Sequence, residues 1–274
     1  MMMSRPNALR LRATLSVLLG LSLAACASTP TRSGFLKSYD EMKPKKMVRA
    51  KEIRRKGGPN LARIHTVAIL PTTLHPSVKA DWLTNDAKTA LLNEIDAQLC
   101  FELTKHYDLA PPQKADARVH AAVTDLEATG RAGSTAAAAA NMVIPGPIGL
   151  RPPGSTGGLS VEAEMLGRNN RQLAAISWSR DAMNVGADNP ALTRVGDAMQ
   201  FAEPFADAAA KVMTAPESKK REIPKPDPCE KYGPRFRPEG FLTKLVTGLY
   251  VPEMSAAKEP EPAETKTPAP AGKK

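Results

Sequence analysis

The chain has few of the side chains that usually carry catalysis. It contains only four histidines and three cysteines, and His65, His75, His106 and His120 have no spacing typical of metal ligands. The phosphate-binding patterns Gly-x-Gly-x-x-Gly and Gly-x-x-x-x-Gly-Lys are absent, as is the Gly-x-Ser-x-Gly turn of many hydrolases. We therefore predict no catalytic residue, no metal site and no cofactor, and expect a protein that is not an enzyme.

A hydrophobic run long enough for a transmembrane helix is also missing from the N-terminal region. The uncharged stretch at residues 13–23 is roughly half of the 20 or so residues that a membrane-spanning helix needs. Arginines precede it and Leu23-Ala24-Ala25-Cys26 ends it, which is the pattern of a bacterial lipobox. Residues 1–25 are therefore predicted to be a lipoprotein signal peptide rather than a span or a core helix.

The lipobox predicts where the protein is located. The Cys26 thiol can accept a diacylglycerol, and cleavage before it frees an amine for a further acyl chain, which together give stable anchoring. Residue 27 is alanine, so the aspartate of the inner-membrane retention signal is absent. We expect a lipid anchor in the outer membrane, with the body of the protein facing the periplasm.

Acidic residues are outnumbered, and much of the positive excess is concentrated after the anchor. The whole chain has a formal net charge of +10, and residues 37–56 are rich in lysine and arginine. We interpret residues 26–62 as a solvated basic tether. The same run could instead dock on anionic lipid, on lipopolysaccharide or on peptidoglycan carboxylates. Nucleic acid is not an expected partner, because the chain is exported away from it.

Two cysteines remain besides the anchor. In an oxidising compartment such a pair favours a disulfide, so Cys100 and Cys229 are candidate partners. Two buried free thiols are the alternative, whereas a metal site is disfavoured because no histidine has ligand spacing from either cysteine.

Hydrophobic periodicity indicates an α+β domain over residues 63–215. Strands are predicted at 66–70, 107–109, 117–127 and, as a hairpin, at 159–165 and 172–180. Helices are predicted at 84–106 and from Asn189-Pro190 to about Met213, with a kink or break at Pro204. We expect a mostly antiparallel sheet with these two main helices packed on one face.

Three further segments have no regular hydrophobic periodicity. Residues 130–158 read as a flexible insertion, either disordered or used for a partner contact. Residues 216–252 are expected to be extended and pinned by the disulfide. Residues 253–274 are a low-complexity mixture of proline, alanine, glutamate and lysine, which predicts a disordered tail.

Two carboxylates raise a catalytic alternative. Glu162 and Glu164 alternate on one face of a predicted strand, which separates them by about 7 Å, near the separation that inverting glycosidases use. A peptidoglycan hydrolase is therefore conceivable. The solvated face of any strand would carry the same residue types, and that is the interpretation we favour.

Short motifs connect the chain to a known family. They are Ser33-Gly34-Phe35-Leu36 with Tyr39, Thr66 to Leu70, Ala117 to Thr124, Gly157-Gly158 before Val161-Glu162-Ala163-Glu164, and Leu173-Ala174-Ala175. In this order they resemble the bacterial lipoproteins of domain-of-unknown-function family 3313, over residues 34–213. The chain departs from the family pattern at the hairpin turn, residues 166–171. The resemblance implies an exported lipoprotein and carries over no catalytic residue.

Together these patterns lead to one expectation and two alternatives. We expect a non-enzymatic lipoprotein, anchored by lipid in the outer membrane, that binds an envelope protein, lipid or glycan. The alternatives are a peptidoglycan-acting hydrolase that uses Glu162 or Glu164, and a structural tether between wall and membrane.

Overall fold

The structure, a computed structural model, describes residues 30, 32–143, 149–186, 188–239, 242–243 and 251–258. Within these residues the strands are β1 (Lys43–Lys45), β2 (Lys51–Arg55), β3 (Thr66–Ile69), β4 (Thr73–Leu74), β5 (Asp108–Leu109), β6 (Ala117–Glu127), β7 (Gly149–Leu150), β8 (Gly158–Gly167), β9 (Gln172–Asp181) and β10 (Val185–Gly186). The α-helices are α1 (Asn85–Leu103), α2 (Arg131–Val143) and α3 (Gly196–Met213).

Eight strands form one mixed sheet, in the order β1-β2-β9-β8-β6-β3-β5, with β4 also paired to β6. Pairing is antiparallel from β1 across to β6 and parallel where β3 joins β6 and β5. The short strands β7 and β10 pair separately. The α+β fold class is confirmed, and the predicted hairpin is β8–β9.

The hydrophobic core lies between one face of the sheet and the helices α1 and α3. Val119, Val161 and Ile176 contribute from adjacent strands and are fully buried. Trp178 packs against Phe205 of α3, with ring centroids 5.9 Å apart. The sequence pattern correctly identified this face, since alternate residues of a strand point to the same side.

Helix α1 begins and packs as its sequence predicts. The amide of Ala87 donates to Thr84 Oγ1 at 3.2 Å, which caps the first turn. The predicted stripe of leucine and isoleucine is fully buried, at positions 91, 95, 99 and 103.

Helix α3 differs from its prediction at two points. It begins at Gly196 rather than at Asn189-Pro190, because Gln200 bonds to both the amide and the carbonyl of Asn189 and holds that stretch outside the helix. Of the kink or break predicted at Pro204, the break is wrong, because the helix continues to Met213. Packing of the buried residues on both sides of Pro204, Phe201 and Phe205 among them, outweighs the missing amide hydrogen bond.

The predicted flexible insertion at 130–158 is ordered where the structure describes it. It contains α2 and β7, and it is fixed by Arg151, whose guanidinium forms two bonds to the Asp197 carboxylate at 2.8 and 2.9 Å. The same carboxylate accepts from the amide of Gly157 at 2.8 Å. The sequence pattern did not predict this contact. The insertion has no regular period, and the contact depends on one arginine and an aspartate that is distant in sequence.

The predicted tether also needs a correction. Residues 43–55, assigned to a solvated segment over 26–62, form β1 and β2, and β2 pairs with β9 along its whole length. The alternation of lysine with apolar residues is weak here, yet Ile53 is buried against the sheet. The folded body therefore begins well before residue 63.

Several of the described residues after 215 pack along α1. The predicted disulfide is present: the Cys100 and Cys229 sulfurs are 2.03 Å apart and their Cα atoms 6.0 Å apart. Glu94 of α1 binds both guanidinium nitrogens of Arg237 at 2.8 Å and accepts from the Ala257 amide. Residues 253–258 are thus held to the body, and residues 259–274 lie outside the described residues.

The described residues contain no helix that is both long and apolar enough to span a bilayer. The predicted signal peptide and Cys26 lie outside the described residues.

Candidate functional site

The face of the sheet opposite the helices carries the two glutamates that the sequence singled out. The strand register sets Glu164 opposite His120 on β6 and sets Glu162 opposite Ser177 on β9. Glu162 is 0 % exposed and Glu164 is 5 % exposed. The interpretation of a solvated face is therefore wrong, and something must cover these carboxylates.

The two carboxylates are covered by a segment that precedes β1 in the sequence. We call residues 33–39 the N-terminal clasp. Ser33 donates its hydroxyl hydrogen to Glu162 Oε2 at 2.5 Å, and Tyr39 donates its own to the same oxygen at 2.6 Å. Leu36, between them, is buried. Hydrogen bonds to an ionised acceptor are the stronger kind, so Glu162 holds both ends of the clasp.

Glu164 holds the middle of the clasp. Its Oε2 accepts from the Lys37 amide at 2.9 Å and from Gln172 Nε2 at 2.7 Å. Gln172 is fixed in turn by Arg55 of β2, which donates to its side-chain oxygen at 2.6 Å. The Lys37 ammonium reaches the carbonyl of Asn170 in the hairpin turn at 2.6 Å. The clasp is thus bound directly to β8 and to the turn, and side chains of β9 and β2 hold Glu164 in place.

Tyr39 organises the clasp from inside. Its hydroxyl accepts from the amides of Gly34 at 2.8 Å and Leu36 at 3.4 Å while it donates to Glu162. Gly34 has a φ of 91°, in the region that favours glycine. Burial, and secondly the bond to Glu162, raise the pKa of the Tyr39 hydroxyl. The hydroxyl therefore stays protonated and remains a donor.

His120 is the ionisable neighbour of this pair. Burial lowers its pKa, the positive charge of Arg118 lowers it further, and the negative charge of Glu164 opposes both effects. Its Nε2 atom is buried without a hydrogen-bond partner among the described residues. The site therefore combines two occupied carboxylates with a histidine that favours its neutral form.

This geometry suits holding a peptide segment better than cutting a glycan. A general acid or base must come within hydrogen-bond reach of the substrate, whereas Oε2 of Glu162 and Oε2 of Glu164 are each bound by the chain's own donors. The hydrolase hypothesis gains no support from the contacts of either carboxylate.

A second feature lies at the edge of the same sheet. The β1–β2 hairpin, residues 43–55, borders an open groove of about 800 Å³ whose lining is mostly basic. These side chains are Lys43, Lys45, Lys46, Arg54, Arg55 and Lys56. The positive charge of Arg54 is offset by the buried Glu52, whose Oε1 lies 3.1 Å from a guanidinium nitrogen of Arg54. For Lys43, Lys45, Lys46 and Lys56, the described part of the chain provides no carboxylate at ion-pair distance.

The other predicted site residues are dispersed. Cys100 of α1 and Cys229 form the disulfide in a separate hydrophobic cluster, away from the clasp. No cluster of three or more histidine, cysteine or acidic side chains able to hold a metal occurs in the ranges that the structure describes. Sequence reasoning missed Ser33, Lys37 and Tyr39 as partners of the glutamates. For Ser33 and Tyr39 the available signal was their presence in the same set of family motifs as the glutamates, whereas Lys37 lies outside those motifs.

Comparison with known proteins identifies a family and a distant structural likeness. The family model described as "Protein of unknown function (DUF3313)" matches residues 31–209, and no curated protein matches the chain. Among solved structures, the PelC dodecamer from Paraburkholderia phytofirmans is 14% identical, with a TM-score of 0.37, and the match covers 61% of this chain and 99% of that one. A variant of that protein matches at 15% identity with the same coverage and TM-score. At this TM-score the likeness carries no functional argument.

Proposed function

The chain belongs to the DUF3313 family of proteins of unknown function, and on that premise we propose that it is a non-enzymatic lipoprotein of the outer membrane. Its lipid anchor would be Cys26, and its body would face the periplasm and bind another component of the envelope. The observation that carries the proposal is the clasp, because it joins the segment that follows the lipobox directly to the folded sheet.

The clasp shortens the link between anchor and body. Ser33 is docked on Glu162 and is only seven positions after Cys26, with six residues between them. A fully extended chain of that length spans at most about 25 Å. A lipid on Cys26 would therefore keep the sheet close to the membrane surface rather than free it on a long tether.

The disulfide supports the same compartment. Bonds of this kind form and persist in oxidising environments such as the bacterial periplasm and are rare in the cytosol. The Cys100–Cys229 bond is buried beneath the segment that packs on α1. An exported chain could form it, in agreement with the signal peptide that residues 1–25 predict.

The anchor is tested by Cys26→Ser in cells fed labelled palmitate. We expect the unchanged chain to incorporate label, to lose residues 1–25 and to fractionate with the outer membrane. Cys26→Ser should remain an unlabelled precursor, whereas the matched control Ser28→Ala should behave as the unchanged chain. Normal processing of Cys26→Ser, or a native chain found only in the soluble periplasm, would refute the proposal.

The binding role is tested by in-cell crosslinking of the tagged, lipidated chain, followed by mass spectrometry. We expect one abundant envelope component to be captured. A peptidoglycan zymogram tests the non-enzymatic part: we expect no clearing, and clearing that disappears in Glu162→Gln would establish the hydrolase instead.

A further inference from the structure

We propose that the tip of the β1–β2 hairpin, residues 46–50, inserts into the membrane surface and binds the phosphates of its phospholipids. This inference rests on the proposed lipid anchor and names the surface that the anchored body contacts. Its basis is the composition of the tip, its position relative to the clasp, and the charges around it.

The tip has two apolar side chains that face solvent. Met47 is 43 % exposed and Val48 is 96 % exposed, although a folded domain usually buries such residues. Lys46 and Arg49 flank them directly, and Lys43 and Lys45 of β1 precede the tip. An apolar tip within a ring of basic residues matches a membrane interface, where apolar groups enter the acyl boundary and cations meet phosphates.

The tip and the start of the clasp lie toward the same end of the sheet. The clasp runs from Glu162, bound by Ser33, to Glu164, bound by Lys37. Ser33, the end of the clasp nearer to Cys26 in the sequence, is therefore bound two residues along β8 from Ser160. The strand register places Ser160 level with Ser179 of β9, and Ser179 level with Lys51, the first residue after the tip.

The distance between the clasp, at Glu162, and β1, which leads into the hairpin tip, is small. Glu162, Ser177, Ile53 and Pro44 form one row across β8, β9, β2 and β1. Three strand spacings amount to about 14 Å. A lipid on Cys26 can lie no further than about 25 Å from Ser33, so the anchor and the hairpin tip can reach one bilayer surface together.

The charges that surround the tip are available to a lipid. Lys43, Lys45 and Lys46 have no carboxylate within ion-pair distance in the ranges described. Each cation near an anionic membrane surface strengthens association roughly fivefold, within a Debye length of about 8 Å at physiological salt. Because the anchor already concentrates the chain at the surface, even this modest attraction orients the body.

The test uses the chain from residue 26 with Cys26→Ser, which cannot be acylated, so that binding depends on the protein surface. Every contact described above lies within residues 30–258. The probe is a vesicle of phosphatidylcholine alone, or one that contains roughly one-third phosphatidylglycerol. Binding is measured by sedimentation at low and at physiological salt.

We expect binding to the anionic vesicles only, weakening as salt rises. The variant Met47→Ser/Val48→Ser and the variant Lys46→Gln/Arg49→Gln should each bind about tenfold more weakly. Phe236→Ser/Leu242→Ser is the matched apolar control, since these side chains are 80 % and 52 % exposed and lie outside the sheet. Lys114→Gln/Lys219→Gln is the charge control, and both controls should bind as the unchanged chain does.

Three outcomes would overturn the inference. One is no binding to anionic vesicles. Another is an equal loss in the control variants, which would mean that the hairpin tip is not the specific contact. The third is capture by purified peptidoglycan without vesicle binding, which would assign the basic hairpin to the wall. Because this chain carries no lipid, each outcome is independent of the palmitate test at Cys26.

Discussion

Tyr39 donates its hydroxyl hydrogen to Oε2 of Glu162 at 2.6 Å, across 123 residues of sequence. The same hydroxyl accepts two backbone amides, so one side chain connects the clasp internally and fixes it to β8. This bond converts the segment after the lipobox from a linker into part of the domain.

Removal of the Tyr39 hydroxyl should destabilise the domain. Tyr39→Phe leaves Glu162 with one hydroxyl donor fewer and the Gly34 amide without its acceptor. We expect the free energy of unfolding to fall by about 1.5–3 kcal/mol, the range for hydrogen bonds to charged groups.

Urea unfolding measures this change. Tyr232→Phe is the control, because Tyr232 is more deeply buried than Tyr39 and no hydroxyl hydrogen bond is found for it in the described chain. That variant should change stability by less than about 0.5 kcal/mol. Equal effects of the two substitutions would contradict the role given to Tyr39.

The sequence was sufficient to predict the core and insufficient to predict the site, for one physical reason. Alternation along β8 correctly separated Val161 and Met165 from Glu162 and Glu164. It specifies which residues share a face and contains no information on what covers that face. The cover is Ser33 to Tyr39, whose polar contacts leave no periodic pattern.

The other differences have the same origin in long-range contacts. The order of residues 149–157 depends on Arg151 meeting Asp197, and the start of α3 depends on Gln200 bonding to Asn189. Local preferences at these positions favoured a loop and an earlier helix start. The disulfide was predictable because only two cysteines remained to pair.

The Arg151–Asp197 pair should be a major contributor to stability. Both side chains are buried, and removal of one partner of a buried pair leaves an uncompensated charge, which costs about 3–5 kcal/mol. We expect Asp197→Ala to lower the free energy of unfolding by that amount. Asp207→Ala, which breaks an exposed pair with Lys211, is the control and should cost at most about 0.5 kcal/mol. Similar losses in both variants would be inconsistent with the buried pair.

The disulfide should stabilise the chain through the length of the loop that it closes. Cys100 and Cys229 are 129 residues apart, and the chain-entropy model assigns about 4–5 kcal/mol to a loop of that size. Reduction should lower the urea midpoint of the unchanged chain. In the double variant Cys100→Ala/Cys229→Ala the reductant should have no effect. An unchanged midpoint after reduction would contradict this expectation.

Stability should fall as pH decreases below the ordinary histidine pKa of about 6.5. Burial lowers the pKa of His120 in the folded protein, so the unfolded chain binds its proton at a higher pH than the folded chain does. Stability from His120 is therefore present above that value and is lost as pH falls through the folded pKa. His106, whose pKa burial also lowers, should add to the slope.

Unfolding measured between neutral pH and pH 5 checks this sign. His120→Gln should reduce the pH dependence. A steeper slope in His120→Gln would contradict the assignment.

The measurement that tests the account most directly is hydrogen exchange of the backbone amides in residues 33–39 of the chain from residue 26. The amides of Gly34 and Lys37 are bonded to Tyr39 and Glu164, so they should exchange at least about tenfold more slowly than those of exposed residues 217–220. Glu162→Ala/Tyr39→Phe should abolish that difference. Exchange of residues 33–39 as fast as that of 217–220 in the unchanged chain would show that the clasp does not hold the anchor to the sheet.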